Sequence, residues 1–208
     1  MKAKRICLGY DLRLSFRDGL WEIPSYLESQ CLVYRKPQLS GDLGVWPAVP
    51  GVAELLENHE NIWKGISNSL GFATDFEVLI ESCKSNYISI DKGVGVAFTC
   101  FEENFIAFVE RYGSRGFNLL LSEADLKKIG WSFVGFDILD LGAQISGLCG
   151  CGYKEDTKKE LQAYFADGLN EVGLFKTYSW ATRFASVRGL QIHTHAPFIP
   201  VGIFIKEI

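Results

Sequence analysis

The sequence has few histidines, almost no methionine and no apolar run long enough to cross a bilayer. Its 208 residues include three His and one Met. A membrane-spanning helix needs about 20 consecutive apolar residues, and the apolar stretches here fall well short of that. The opening, MKAKRICLGYDLRLSFRDGL, starts basic but has no apolar centre. Asp11, Arg13 and Arg17 interrupt it, and no small-residue cleavage site follows an apolar run. The chain therefore reads as cytoplasmic, with no membrane partner. An excess of positive charge is also lacking: 21 Lys and Arg stand against 25 Asp and Glu, a net charge of −4. Nucleic-acid binders present a basic face. The balance here speaks against nucleic acid and fits a small-molecule or protein partner, including a basic one. Nucleotide fingerprints are missing too. The glycine run GLCGCG (147–152) does not follow the dinucleotide order G-x-G-x-x-G and has no P-loop lysine. No cofactor is expected.

What the chain does have is apolar bulk. Hydrophobic residues make up 48% of it, with 15 Phe, eight Tyr and five Trp, so a substantial core is expected. Six cysteines in a cytoplasmic chain of mixed composition read as reduced thiols.

Patterning predicts both strands and helices. Residues 4–16 and the apolar run 131–139 read as strands, the second of them central. Residues 87–101 read as two short strands around a Lys92-Gly93 turn. Residues 51–67 read as a helix. Thr74 and Glu77 form a capping-box pattern ahead of Phe76, Leu79, Ile80 and Cys83, an amphipathic stripe. A helix marked by Phe101, Phe105, Phe108, Val109 and Tyr112 ends at Gly113, and a shorter one runs from Ser122 to Gly130. Thr157 and Glu160 form a second capping box, before Leu161, Tyr164, Phe165 and Leu169. A weaker helix ends at Gly189. The closing FIPVGIFIKEI reads as a buried strand whose Pro200 points to an edge or bulge near its start. Residues 35–51 hold three of the six prolines and read as a loop. Strands and helices do not alternate regularly, and no internal repeat is evident. The expected class is α+β, a mixed or antiparallel sheet with several packed amphipathic helices. It forms a single domain over 1–208, with a subdivision point near 35–51.

Three constellations bear on chemistry. Cys149 and Cys151, with His193 and His195 far downstream, supply zinc-ligand types. Their single-residue spacing is shorter than the two to four intervening residues usual for structural zinc, and small buried thiols in a glycine turn, with the histidines as loop residues before Pro197, are the better explanation. Cys151 with His193 or His195 as base would make a thiol or metal enzyme, the alternative reading. Asp137 and Asp140 flank a strand end, where an Asp is more often a turn-former or helix cap than a catalyst. The patterned core and capped helices favour a binding protein over a catalyst.

Three segments point the same way: WSFVGFDILDLGAQISGLCGCGY (131–153), LNEVGLF (169–175) and HAPFIPVGIFIKEI (195–208). They match the pattern W-x-F-x-G-[FY]-D, then S-x-L-x-x-C-G-Y, N-E-x-G-L-F and a closing H-A-P-F strand. With these motifs the C-terminal third resembles a group of small cytoplasmic bacterial proteins. That group is similar to immunity proteins of polymorphic toxin systems, contact-dependent growth inhibition among them. Cys151 holds the place of the group's Cys-Gly-Tyr cysteine, and Gly150 stands where a polar residue is expected. The resemblance implies a protein that binds a cognate toxin domain, of nuclease type and basic, and blocks it without turnover. An acidic partner gains on-rate and specificity against such a domain. The implied contacts are loop carboxylates, namely Glu102, Glu103, Asp137, Asp140, Glu155 and Asp156, with Trp46 as an aromatic anchor. Each of the acids also has an ordinary explanation as solvated surface or a helix-start carboxylate.

Overall fold

The structure, a computed structural model, describes residues 4–14, 65–69, 72–87, 90, 93–117, 121–140, 145–147, 156, 165–170, 174–187 and 197–208. The fold is α+β. Strand β1 is Arg5–Leu14, helix α1 Phe76–Ser85, β2 Gly93–Phe101, α2 Glu102–Tyr112 and α3 Glu123–Lys128. Then come β3 Ser132–Asp140, β4 Ile145–Ser146, a 3-10 turn at Ala166–Gly168, α4 Tyr178–Ala185 and β5 Ile199–Glu207. The strands are hydrogen-bonded in the order β1-β2-β5-β3-β4, with β1/β2 and β3/β4 antiparallel. The chain divides into two compact units. One spans Met1–Ser15, Ala48–Phe133 and Ile203–Ile208, and the other Phe16–Pro47 and Val134–Gly202.

In the first unit, β1 pairs with β2 until the register slips between Cys7 and Gly9, leaving Leu8 as the extra residue of a bulge. Gly9 occupies the bulge at φ 138°, and a Cβ there would lie 2.6 Å from the Cβ of Phe72. Only glycine meets both demands. β1 is terminal in the sheet, and its outer backbone is occupied by other segments. Tyr10 and Ala73 exchange N–H···O bonds of 2.9 Å in both directions, and the Cys7 N–H donates to Leu121 O at 2.8 Å. The core here is aromatic. Tyr10, Phe76 and Trp131 pack with centroids 5.0–6.1 Å apart, over a β2 glycine (Gly95) whose missing side chain leaves room for the Phe76 ring. Phe72 stacks on Phe98 at 4.5 Å.

The helices follow their sequence signals with instructive shifts. The α1 stripe is the expected one, with Phe76, Leu79, Ile80 and Cys83 buried. Its cap is not. Asp75, one residue later than the capping-box pattern suggested, accepts from the N–H groups of Glu77 and Val78. The Thr74 hydroxyl instead donates to Ile66 O, tying the helix start to the preceding segment. α2 ends at Gly113, at φ 90°, as expected. α3 carries the full reciprocal cap between Ser122 and Asp125. Gly93 opens β2 with its N–H donating to Ile90 O at 2.7 Å, a turn at the expected place, while residues 88–89 and 91–92 lie outside the described residues and Tyr87 lies in the turn after α1.

In the second unit, β3 is an interior strand, and residues 135–139 are buried without alternation. Phe136 exchanges 2.8 Å N–H···O bonds with Phe175 in both directions. Phe165, Phe175 and Phe184 cluster around one another, with Trp180 against Phe165. α4 starts at the Thr177 cap and ends at Ala185, earlier than the glycine at 189 suggested. β5 is buried as expected, but it is interior rather than at an edge. Pro200 is tolerated as its second residue, where the ladder is only beginning. Gly65 and Ile66 are helical at the end of the predicted 51–67 helix, the rest of which lies outside the described residues. So do the 35–51 loop and the Thr157–Glu160 capping box.

The cap assignment is directly testable. Asp75→Ala should lower stability by about 1 kcal/mol in urea unfolding at neutral pH, with an unchanged m-value.

Candidate functional site

α2 presents an exposed apolar residue beside several carboxylates. Glu102 and Glu103 occupy its first turn, and its N-cap, Phe101, offers no side-chain hydrogen bond. The two carboxylates thus face the positive end of the helix dipole and remain exposed. Glu103, Ile106 and Glu110 follow at i, i+3 and i+7 on one face, all exposed, and Ile106 is 52% accessible. The opposite side buries Phe108 and packs Phe105 edge-on against Phe117 at 5.1 Å. The outward face is therefore an apolar residue among three carboxylates on an anchored helix. Ile106 and Glu110 were not among the sequence candidates. The signal that finds them is helical spacing from Glu103.

The other predicted contacts fare differently. Asp137 is not on a loop. It lies within β3, fully buried, its Oδ1 accepting from the N–H of Ile138 at 2.7 Å. A carboxylate in that place is part of the interior and cannot touch a partner. Asp140 is half-buried at the end of β3, opposite Ile145 of β4. Asp156 is exposed and helical. Glu155, Trp46, Cys149, Cys151, His193 and His195 lie outside the described residues. Among the described residues no group of three His, Cys, Asp or Glu is placed to hold a metal, and no helix is long and apolar enough to cross a membrane.

The described thiols are Cys7, Cys83 and Cys100, all free and buried. Burial disfavours the thiolate and pushes Cys7 and Cys83 up to about 11 from an ordinary 9.0. Cys100 is raised further by burial and by the neighbouring Cys7, and burial also raises the Tyr10 phenol. Thiols held this far above neutrality are packing groups, not nucleophiles.

Beside them lies a cavity of about 10 Å³, lined in part by Cys7, Tyr10, Asn68 and Thr74. It has room for one water and for no substrate. Asn68 dominates this region. Its Nδ2 donates to Leu8 O at 2.5 Å, its Oδ1 accepts from Phe72 N at 3.2 Å, and its own N–H donates to Phe72 O at 2.9 Å. Its carbonyl accepts from the Arg115 guanidinium at 3.3 Å. This side chain serves the bulge and the loop, not a ligand.

Comparison of the chain with protein-family models, curated proteins and solved structures finds no match.

The thiol environment fixes a pH response. In the unfolded chain these thiols ionise near 9.0, whereas in the folded one Cys7 and Cys83 ionise at about 11. The unfolded state therefore loses protons first. Their contribution to stability is whole below pH 9.0 and is lost as pH rises to about 11. The melting temperature should fall across that window, and the Cys7→Ala/Cys83→Ala variant should show a shallower fall. At pH 7 a thiol reagent should modify Cys7, Cys83 and Cys100 only as the protein unfolds.

Proposed function

We propose that this chain is a cytoplasmic immunity protein that binds a cognate toxin domain and neutralises it by direct contact, without turnover. The α2 face is the observation that carries the reading. Glu102, Glu103 and Glu110 surround an exposed Ile106 on a helix anchored by Phe108. Such a face suits a basic partner. The carboxylates steer encounter and reject wrong partners, and the isoleucine supplies apolar contact once water is excluded. A net charge of −4 adds to the same field. The resemblance of the C-terminal third to immunity proteins supplies the partner class. The three buried, high-pKa thiols add weight against a thiol enzyme built on this part of the chain.

Co-expression tests the function. The toxin domain encoded by the neighbouring reading frame should arrest growth alone and not with this protein, and the two should co-elute on a sizing column. Unrelieved arrest with no complex would overturn the proposal.

The surface is tested separately. Glu102→Gln/Glu103→Gln/Glu110→Gln should slow association by about tenfold at low salt, and the difference should shrink as salt is raised. Ile106→Ala should weaken binding by about 1–2 kcal/mol, mainly through faster dissociation. Neither variant should move the melting temperature by more than a degree or two.

A further inference from the structure

Two strand–loop–helix–strand segments of the chain are built alike. In β1 the run Leu8-Gly9-Tyr10-Asp11-Leu12 has the form of Val134-Gly135-Phe136-Asp137-Ile138 in β3. Asn68-x-x-Gly71-Phe72-Ala73 has the form of Asn170-x-x-Gly173-Leu174-Phe175. Val94-Gly95-Val96 of β2 corresponds to Val201-Gly202-Ile203 of β5. β2 is the strand bonded to β1, as β5 is bonded to β3.

The geometry matches bond for bond. Asn170 Nδ2 donates to Val134 O at 2.7 Å, as Asn68 Nδ2 does to Leu8 O. Asn170 Oδ1 accepts from Leu174 N at 3.0 Å, as Asn68 Oδ1 does from Phe72 N. Both asparagine N–H groups return a bond to the carbonyl of that same loop residue, Leu174 O at 2.8 Å and Phe72 O at 2.9 Å. Two residues further on, Lys176 N donates to Gly168 O and Thr74 N to Ile66 O, both at 2.8 Å. The strand glycines correspond as well. A Cβ on Gly135 would lie 2.7 Å from the Leu174 Cβ and 3.0 Å from Asn170 Nδ2, and one on Gly9 would lie 2.6 Å from the Phe72 Cβ and 3.1 Å from Asn68 Nδ2. Asp11 and Asp137 each accept from the next residue's N–H at 2.7 Å. The aromatic after each glycine meets the first residue of the following helix, Tyr10 with Phe76 and Phe136 with Tyr178.

One coincidence of sequence is cheap. A set of backbone bonds, a side-chain bracket, a glycine contact and a ring pair repeated at corresponding positions is not. We infer that the chain is an internal duplication of one strand–latch–helix–strand module, and that Asn68 and Asn170 are the same latch used twice. Each latch ties a strand carbonyl to the loop that precedes the module's helix. The glycine lets the loop approach, and the aspartate occupies the next strand amide. The G-[FY]-D and N-x-x-G motifs that carry the immunity-protein resemblance are, on this reading, positioning residues for the fold and not partner contacts.

Paired variants in the full-length protein test this. Asparagine→Ala removes both arms of a latch, while asparagine→Asp keeps the acceptor and removes the donor. Hydrogen exchange reads each arm where it acts. Asn68→Ala should strip protection from the Phe72 amide, and Asn170→Ala from the Leu174 amide, each by at least tenfold. Asn68→Asp and Asn170→Asp should retain most of that protection while lowering the melting temperature. The same split at both sites supports one latch used twice. A split at one site with silence at the other, in both exchange and melting, would overturn the duplication as a shared device. If an Ala variant does not fold, the Asp pair carries the comparison. Unequal protection of Phe72 and Leu174 between the two Asp variants then counts against the inference.

Discussion

Much of this fold rests on how a strand backbone is held where regular pairing cannot hold it. Leu8 is surplus to the β1–β2 register, so its carbonyl needs an acceptor's partner from elsewhere. Asn68 provides it with an amide that simultaneously brackets its own loop. An asparagine suits the task because it donates and accepts on one short, planar group. Aspartate would lose the donor and a hydrophobe would lose both. Once that bracket is closed, Ala73 is in place to pair with Tyr10, and α1 leaves the loop at an angle that brings Phe76 against Tyr10 and Trp131. The pairing of Ala73 with Tyr10 and the start of α1 thus adjoin one polar residue that is 1% exposed.

Periodicity made the simpler parts of this arrangement legible. The α1 stripe, the glycine ending α2, the Ser122 start of α3 and the strands at both ends of the chain follow from local spacing alone. The errors came where a polar side chain answered to tertiary structure. Thr74 looked like a cap, but Ile66 O lay within reach of its hydroxyl and the neighbouring Asp75 took the helix N–H groups. Asp137 looked like a loop acid because aspartate is rare inside strands. Its oxygen is engaged by the adjacent amide within the buried stretch of β3. Pro200 suggested an edge, but a proline beside a strand's first residue costs an interior strand little.

The duplicated pattern escaped the sequence for a related reason. Its invariant positions are a glycine, an aspartate and an asparagine separated by long and unequal insertions. The apolar positions between them vary in size: Phe72 answers to Leu174, and Ala73 to Phe175. Cores tolerate such exchanges when volume is made up elsewhere, so sequence identity drains away while the hydrogen bonds persist. The α2 face was half legible. Its two leading carboxylates stood out as charge, whereas Ile106 gained meaning only when the helix was seen to turn it outward.

The covering of β1 has a wider implication. A terminal strand is ordinarily a template on which another chain can lay down its own strand, and many recognition proteins work by that addition. At this end of the sheet the template is already used, by Ala73 and Leu121. A partner approaching there meets side chains and not a row of open amides. Backbone recognition is nearly indifferent to sequence, and side-chain recognition is not. A protein that must tell one partner from many close variants is better served by an architecture that withholds its main chain. It can then revise its specificity by changing surface residues, while the asparagine bracket beneath stays as it is.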